Sequence, residues 1–233
     1  MIAEPTDSTG PSLLDPGQVR TVVYDLDGTL LDSLPLIAAS VAKVRERRGL
    51  APVSDETVRR AIGDGARKLC ERIFSPPFDG PALDEVFDEF LSDYATRSAE
   101  EANPWRPGAR ALLDRAAARG LVQAVLTNKP LALSEAILAR TETRPLFREV
   151  RCPENSPAPK PDPRSLLDLC ETLGVAPEAC LFVGDSVVDF ETGRRAGIAT
   201  VGLRGGYRGE GSPPPDLWFD DPAEFSEWLL AGG

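Results

Sequence analysis

The sequence predicts a doubly wound parallel α/β sheet interrupted by an inserted α-helical cap. Three observations point to it. Short β-branched runs alternate with amphipathic helical stretches. Acidic residues stand directly after those runs. Between the first run and the second lies an interval of nearly a hundred residues, where a crossover needs about a dozen.

Taken in order, Met1–Gln18 is rich in Pro, Gly, Ser, Thr and Asp, lacks the apolar core of a signal peptide, and reads as a disordered leader. Arg20–Asp25 (R-T-V-V-Y-D) is the first strand, and Gly28 supplies the turn after it. Leu34–Gly49, Glu56–Ile62, Gly65–Phe74 and Leu83–Ala99 carry helical spacing, so Ser33 to about Asn103 is expected to cover the sheet as a cap. The turn-rich Asn103-Pro104-Trp105-Arg106-Pro107-Gly108 returns the chain. The remainder alternates: helix Ala109–Arg119 ended by Gly120, strand Leu121–Thr127, helix Pro130–Ala139, helix Asp162–Leu173, strand Ala179–Gly184, helix Asp189–Ala196, strand Ala199–Leu203 and a short strand Asp216–Phe219. The expected division is a leader 1–18, a Rossmann-like core 19–32 and 104–233, and a helical cap 33–103.

Composition removes several chemistries. The 233 residues contain no histidine, which excludes Ser-His-Asp and Cys-His catalysis and His-ligated zinc. Cys70, Cys152, Cys170 and Cys180 form no C-x-x-C pair, and none is followed six residues later by Arg, as a cysteine-nucleophile phosphatase loop requires. Scattered cysteines fit reduced core residues of a cytoplasmic protein. No segment reaches transmembrane length. A formal net charge of -11 disfavours nucleic acid and anionic membrane as partners. An acidic chain that binds an anion must therefore build a local cationic site.

Parallel sheets place their sites at the carboxyl ends of strands. Collected there are Asp25 and Asp27 after the first strand, Thr127 and Asn128 after the second, Asp185 after the third with Asp189 one turn on, and Lys160 in a loop before a helix. Singly, each has an ordinary alternative: an Asx turn, a helix cap, a solvated lysine. Together they make one rim. A carboxylate can attack phosphorus and form an aspartyl-phosphate. Nucleophile and phosphate are both anionic, so a cation must lie between them. Magnesium takes oxygen ligands, and Asp25 and Asp185 can supply carboxylates. Lys160, Thr127 and Asn128 suit the phosphoryl oxygens. Asp27 can protonate the leaving oxygen and then activate water. In the cap, the Gly63-Asp64-Gly65 turn permits close backbone approach. Arg67 and Lys68, just past it, are the candidates for a substrate carboxylate.

At these residues the chain resembles the haloacid dehalogenase superfamily. Asp25-Leu-Asp-Gly-Thr-Leu is similar to its first motif, Thr127-Asn128 to its second, Lys160-Pro161 to its third, and Gly184-Asp185-Ser186-Val187-Val188-Asp189 to its fourth. The insertion resembles the C1-type cap. Thr127-Asn128-Lys129-Pro130, Ile62-Gly63-Asp64-Gly65-Ala66, and Ala196-Gly197-Ile198 through Gly205-Gly206-Tyr207 are similar to phosphoglycolate phosphatases. The resemblance implies Asp25 as nucleophile and Asp27 as acid/base. It implies Mg2+ held by Asp25, the backbone carbonyl of Asp27, and Asp185. Asp189 would orient Asp185 or touch metal-bound water.

The expected function is a magnesium-dependent phosphatase acting on a small phosphate ester such as phosphoglycolate, as a monomer or homodimer. Asp27 favours ester hydrolysis over dehalogenation, which needs no such acid. A sugar phosphomutase of the same superfamily, a phosphoacceptor signalling domain and a binding protein without turnover are the alternatives. The absent histidine counts against the phosphomutase, the long cap against the signalling domain, and the complete acidic set against the third.

Overall fold

The computed structural model describes residues 15–101, 105–207 and 213–231. Residues 1–14 of the expected leader, and Asn103 and Pro104 of the return linker, lie outside the described residues. The expected leader's last residues, Pro16–Gln18, form a 3-10 turn in which Asp15 accepts from the Gly17 amide at 2.8 Å. Regular structure therefore begins before Val19.

The strands β1 (Thr21–Tyr24), β2 (Val122–Leu126), β3 (Glu149–Arg151), β4 (Cys180–Gly184), β5 (Ala199–Leu203) and β6 (Leu217–Phe219) form one parallel sheet in the order β3-β2-β1-β4-β5-β6. β3 has no counterpart among the expected strands. The chain builds outward from β1 in one direction, then returns to β4 and builds outward in the other. The switch point, where such sheets open a crevice, thus lies between β1 and β4. Register brings the carboxyl ends level: Tyr24 pairs with Val125 on one side and Val183 on the other. The polar residues that follow these strands must share one rim.

The period-two alternation of strand side chains assigns each face its own core. Val22, Tyr24, Leu181 and Val183 point to one side, where they meet α5 (Ala109–Ala118), α6 (Leu131–Arg140) and α9 (Pro222–Leu230). Val23, Ala124, Leu126 and Phe182 point to the other and pack on Leu166 and Leu169 of α7 (Arg164–Leu173). Beside this layer runs α8 (Val187–Ala196). α7 ends on Gly174, whose φ of 64° is the left-handed cap that a side chain would resist.

Between β1 and β2 the chain forms α1 (Leu34–Arg47), α2 (Asp55–Ala61), α3 (Ala66–Phe74) and α4 (Gly80–Glu100). Their apolar faces bury one another: Val41, Val44, Val58, Cys70, Phe74, Val86 and Phe90 make a cluster of their own, which Leu133 and Tyr207 join from the sheet side. The two connections to this helical unit run side by side. Leu31 and Trp105 form an antiparallel bridge. The Arg106 amide donates to Leu30 O at 2.9 Å, and its guanidinium to Gly28 O at 2.8 Å. Among the described residues no helix is long and apolar enough to cross a membrane.

Candidate active site

β1 delivers Asp25, which its own amide pins by donating to Val183 O at 2.9 Å. The next turn folds on Gly28, whose φ is 86°, with the Gly28 amide on Leu31 O at 2.8 Å. Gly28 is required twice over, since a β-carbon there would lie 2.4 Å from Asp185 Oδ2. Gly206 approaches Asp185 from the other side, and a β-carbon there would stand 2.3 Å from Asp185 Cβ. Held between two glycines, Asp185 accepts from Thr29 Oγ1 at 3.1 Å and from the Tyr207 amide at 2.6 Å.

Lys160 closes the set. Its buried ammonium lies 2.6 Å from Asp189 Oδ1 and 2.9 Å from Asp25 Oδ1. Asp189 is fully committed, because its Oδ2 accepts from the Ser186 amide at 3.1 Å and hydroxyl at 2.7 Å, capping α8. Asn128 is a clamp. Its side chain donates to Lys160 O at 3.0 Å and Gly63 O at 3.2 Å, and accepts from the Lys160 amide at 2.9 Å. Thr127 Oγ1 accepts from the Lys129 amide at 3.2 Å, which leaves its hydroxyl proton for a ligand oxygen.

The charges are out of balance. Burial pushes the Asp25 carboxyl up to about 6; Lys160 opposes this, and the nearby Asp189 adds to it. Burial, then repulsion from Asp189 and Asp25, pushes Asp185 up to about 7. Burial works against the charge on Lys160, yet Asp189 and Asp25 together hold its pKa above the ordinary lysine value. Ligand oxygens of Asp25, Asp185 and Asp189 lie within 4.8 Å of one another. Asp25 Oδ1 is buried without a hydrogen bond, its contact with Lys160 being close but poorly aligned. Hard, buried oxygen donors with unspent charge fit a divalent cation such as magnesium. Asp25, Asp185 and Asp189 all face the space such an ion would take, and of the three Asp189 is the most occupied, by Lys160 and Ser186.

Asp27 lies at the cap side of this rim, where Oδ1 accepts from Ser33 Oγ and from Lys129 Nζ at 2.9 Å, and Oδ2 lies 3.2 Å from the same ammonium. A cavity between sheet and cap is lined by Asp25, Asp27, Thr127, Asn128 and Lys129 below, and by Ile37, Ile62, Gly63, Gly65, Leu69, Phe90 and Tyr94 above. The structure thus gathers Asp25, Asp27, Thr127, Asn128, Gly63 and Gly65 around one space, with Lys160, Asp185 and Asp189 behind Asp25. It does not bring Arg67 and Lys68 there. Arg67 pairs with Asp84 and lies over the Phe87 ring, while Lys68 donates to Glu71 at 2.6 Å on an exposed helix face. Two and three residues past Gly65, short of a full helical turn, these side chains leave the face that Gly65 presents to the cavity.

Lys129, Tyr94, Ser33, Thr29 and Tyr207 belong to the site without standing among the residues expected there. Lys129 carried a signal, being the third polar residue after β2. Ser33 and Thr29 lie within eight residues of Asp25 but look like ordinary loop hydroxyls. Tyr94 reads as one more apolar-face residue of a long helix.

Known proteins resemble the chain in sequence and in fold. The sequence model of the haloacid dehalogenase-like hydrolases matches residues 19–197. The chain is 35% identical over 216 residues to an N-acetylmuramic acid 6-phosphate phosphatase of Pseudomonas aeruginosa, covering 91% of this chain and 95% of that one. It is 35% identical over 221 residues to a phosphoglycolate phosphatase of Rhodospirillum rubrum, covering 90% of each. Its fold superimposes with a TM-score of 0.83 and 31% identity on the crystal structure of a predicted phosphoglycolate phosphatase from Haemophilus somnus 129pt, covering 90% of this chain and 97% of that one. With the family model spanning residues 19–197 and relatives 35% identical over nine-tenths of the chain, the chain belongs to the haloacid dehalogenase-like hydrolase family.

Proposed function

We propose that this chain, a phosphatase of that family, hydrolyses a small phosphate monoester through a phosphorylated Asp25, with phosphoglycolate as the leading substrate. The observation that carries the reading is Asp25 itself. It is buried at the switch point between Lys160 and Asp185, with one carboxylate oxygen lacking a hydrogen bond.

In the first step an Asp25 oxygen bonds to phosphorus as the ester P–O bond breaks, and Asp27 gives its proton to the leaving oxygen. In the second, water loses a proton to Asp27 and attacks the same phosphorus. The bond to Asp25 breaks, and phosphate leaves. Lys160 and the Thr127 hydroxyl supply fixed donors to the phosphoryl oxygens. Magnesium, when bound by Asp25 and Asp185 with the Asp27 carbonyl, would neutralise charge between carboxylate and phosphate. Residues 33–103 act as the cap that excludes water and meets the leaving group. The local cations Lys160 and Lys129 answer the demand set by the net charge of -11. Buried, unpaired cysteines suit a cytoplasmic enzyme.

A second substrate reading has its own support. The relative from Pseudomonas aeruginosa is named for N-acetylmuramic acid 6-phosphate. The cap side of the cavity offers Ile37, Ile62, Leu69 and Phe90, with no ionised side chain. Such a wall suits the carbon face of a sugar. Phosphate release from both esters, measured with magnesium supplied, separates the readings by their kcat/KM. Asp25→Asn should lower kcat on the better ester by about 10⁴-fold or more. Turnover within tenfold of the native enzyme would defeat the covalent mechanism.

A further inference from the structure

Lys129 is 4% exposed, and the expected phosphate-binding set gives it no task. Its ammonium contacts both oxygens of Asp27, at 2.9 and 3.2 Å, donates to the Tyr94 hydroxyl, and sits 4.5 Å from the centre of the Tyr94 ring. Burial works to lower its pKa, but Asp27 and then Tyr94 hold it above the ordinary value, so the group stays charged. Lys129 follows β2 in the core, whereas Tyr94 belongs to α4 in the helical insertion. Ser33, the residue before α1, adds a third hold through Asp27 Oδ1.

We propose that Lys129 is the positioning residue for the acid/base Asp27, and that Tyr94 fixes it from the cap. The proposal rests on the reading of Asp27 given above. An aspartate carboxyl has a broad, roughly two-fold terminal torsion, so a loop aspartate has no set orientation of its own. Proton transfer to a leaving oxygen needs an approach of about 2.6–3.2 Å, and a displacement of about 1 Å can cost about 10²-fold. Here Oδ1 carries two donors, Ser33 and the shorter contact from Lys129, while Oδ2 has only the longer one. That asymmetry leaves Oδ2 as the oxygen that exchanges the proton. Since Tyr94 reaches Lys129 from the helical unit, the acid is aligned when the cap is seated on its substrate.

The test compares the native enzyme with Asp27→Asn, Lys129→Met, Lys129→Arg and Tyr94→Phe, all with magnesium supplied. One ester is 4-nitrophenyl phosphate, whose leaving group departs without a proton; the other is phosphoglycolate, whose alkoxide needs one. Asp27→Asn and Lys129→Met should lower kcat/KM, which ends at leaving-group departure and so omits the hydrolysis step both esters share, about 10- to 100-fold more for the alkyl ester than for the nitrophenyl ester. Tyr94→Phe should show a smaller effect of the same sign, and Lys129→Arg should restore part of the loss. Equal losses on both esters in Lys129→Met, or a rise in KM alone, would overturn the proposal while Asp27→Asn still discriminates. The KM result would mean that Lys129 reads the substrate's carboxylate. If Asp27→Asn itself failed to discriminate, the acid/base reading would fall and this one with it. Should Lys129→Met not fold, Tyr94→Phe decides: no discrimination there defeats the proposal.

Discussion

Arg67 and Lys68 carry two positive charges close to the Gly63–Gly65 turn, and both are engaged by acidic neighbours on the outer helix face. Position after a glycine turn put them near the substrate in sequence. The helix starting at Ala66 then turned their side chains toward Asp84 and Glu71. Replacing both by Ala should therefore change KM for phosphoglycolate by less than about threefold, since neither side chain lines the cavity beside Asp25 and Asp27. A tenfold rise in KM would return them to the site. The residues legible in the sequence were those whose roles follow from strand position alone: Asp25, Thr127 and Asp185 stand at level strand ends. Lys129 and Tyr207 act through partners 102 and 22 residues away, and no local pattern encodes such a pairing.

Among elements, the runs that read clearly were those with a continuous apolar stretch. β1, β2, β4 and β5 came within a residue or two of their expected bounds, as did α1 and α3. β3 is three residues, Glu-Val-Arg, at the edge of the sheet; only Val150 is buried, so it has no hydrophobic run to betray it. α9 was passed over although Asp221-Pro222 is a readable start, with Asp221 accepting from the Ala223 and Glu224 amides. The segment after β5 matters most for chemistry. There Gly206 lets the backbone lie against Asp185 and Tyr207 donate to it. Gly206→Ala should push Asp185 aside and raise the magnesium concentration for half-maximal activity by about tenfold or more. The clash reaches Asp185 Cβ, so the adjoining backbone must shift too, and a melting curve alongside the titration separates that cost from the loss of metal affinity. An unchanged magnesium dependence would show that Asp185 has room to shift without loss.

For the whole molecule, the acidic rim makes stability depend on pH and metal together. Asp25 and Asp185 titrate near 6 and 7 in the folded, metal-free chain, against about 3.8 when exposed. The folded chain therefore binds more protons than the unfolded one between these values. The stabilisation this provides is complete below about pH 3.8 and is lost as pH rises through about 6 to 7. With metal chelated, Asp185→Asn should melt above the native protein, and the gap should widen from pH 5 to pH 7 by on the order of several degrees. Added magnesium should close it by stabilising the native protein alone. A gap independent of pH would mean that Asp185 is not held above its ordinary pKa.

The paired connections at Leu31 and Trp105 have an architectural consequence. The chain leaves and re-enters the sheet at bridged neighbours, so the helices between them are joined to it covalently at one place. A short turn could span the same gap without moving β1 or β2. The segment could therefore be replaced as a unit while the strand that carries Asp25 stays as it is. Arg106, tied to Gly28 O, anchors the joint to the very loop that follows Asp25. Any segment joined there is tied from the outset to the loop that follows Asp25.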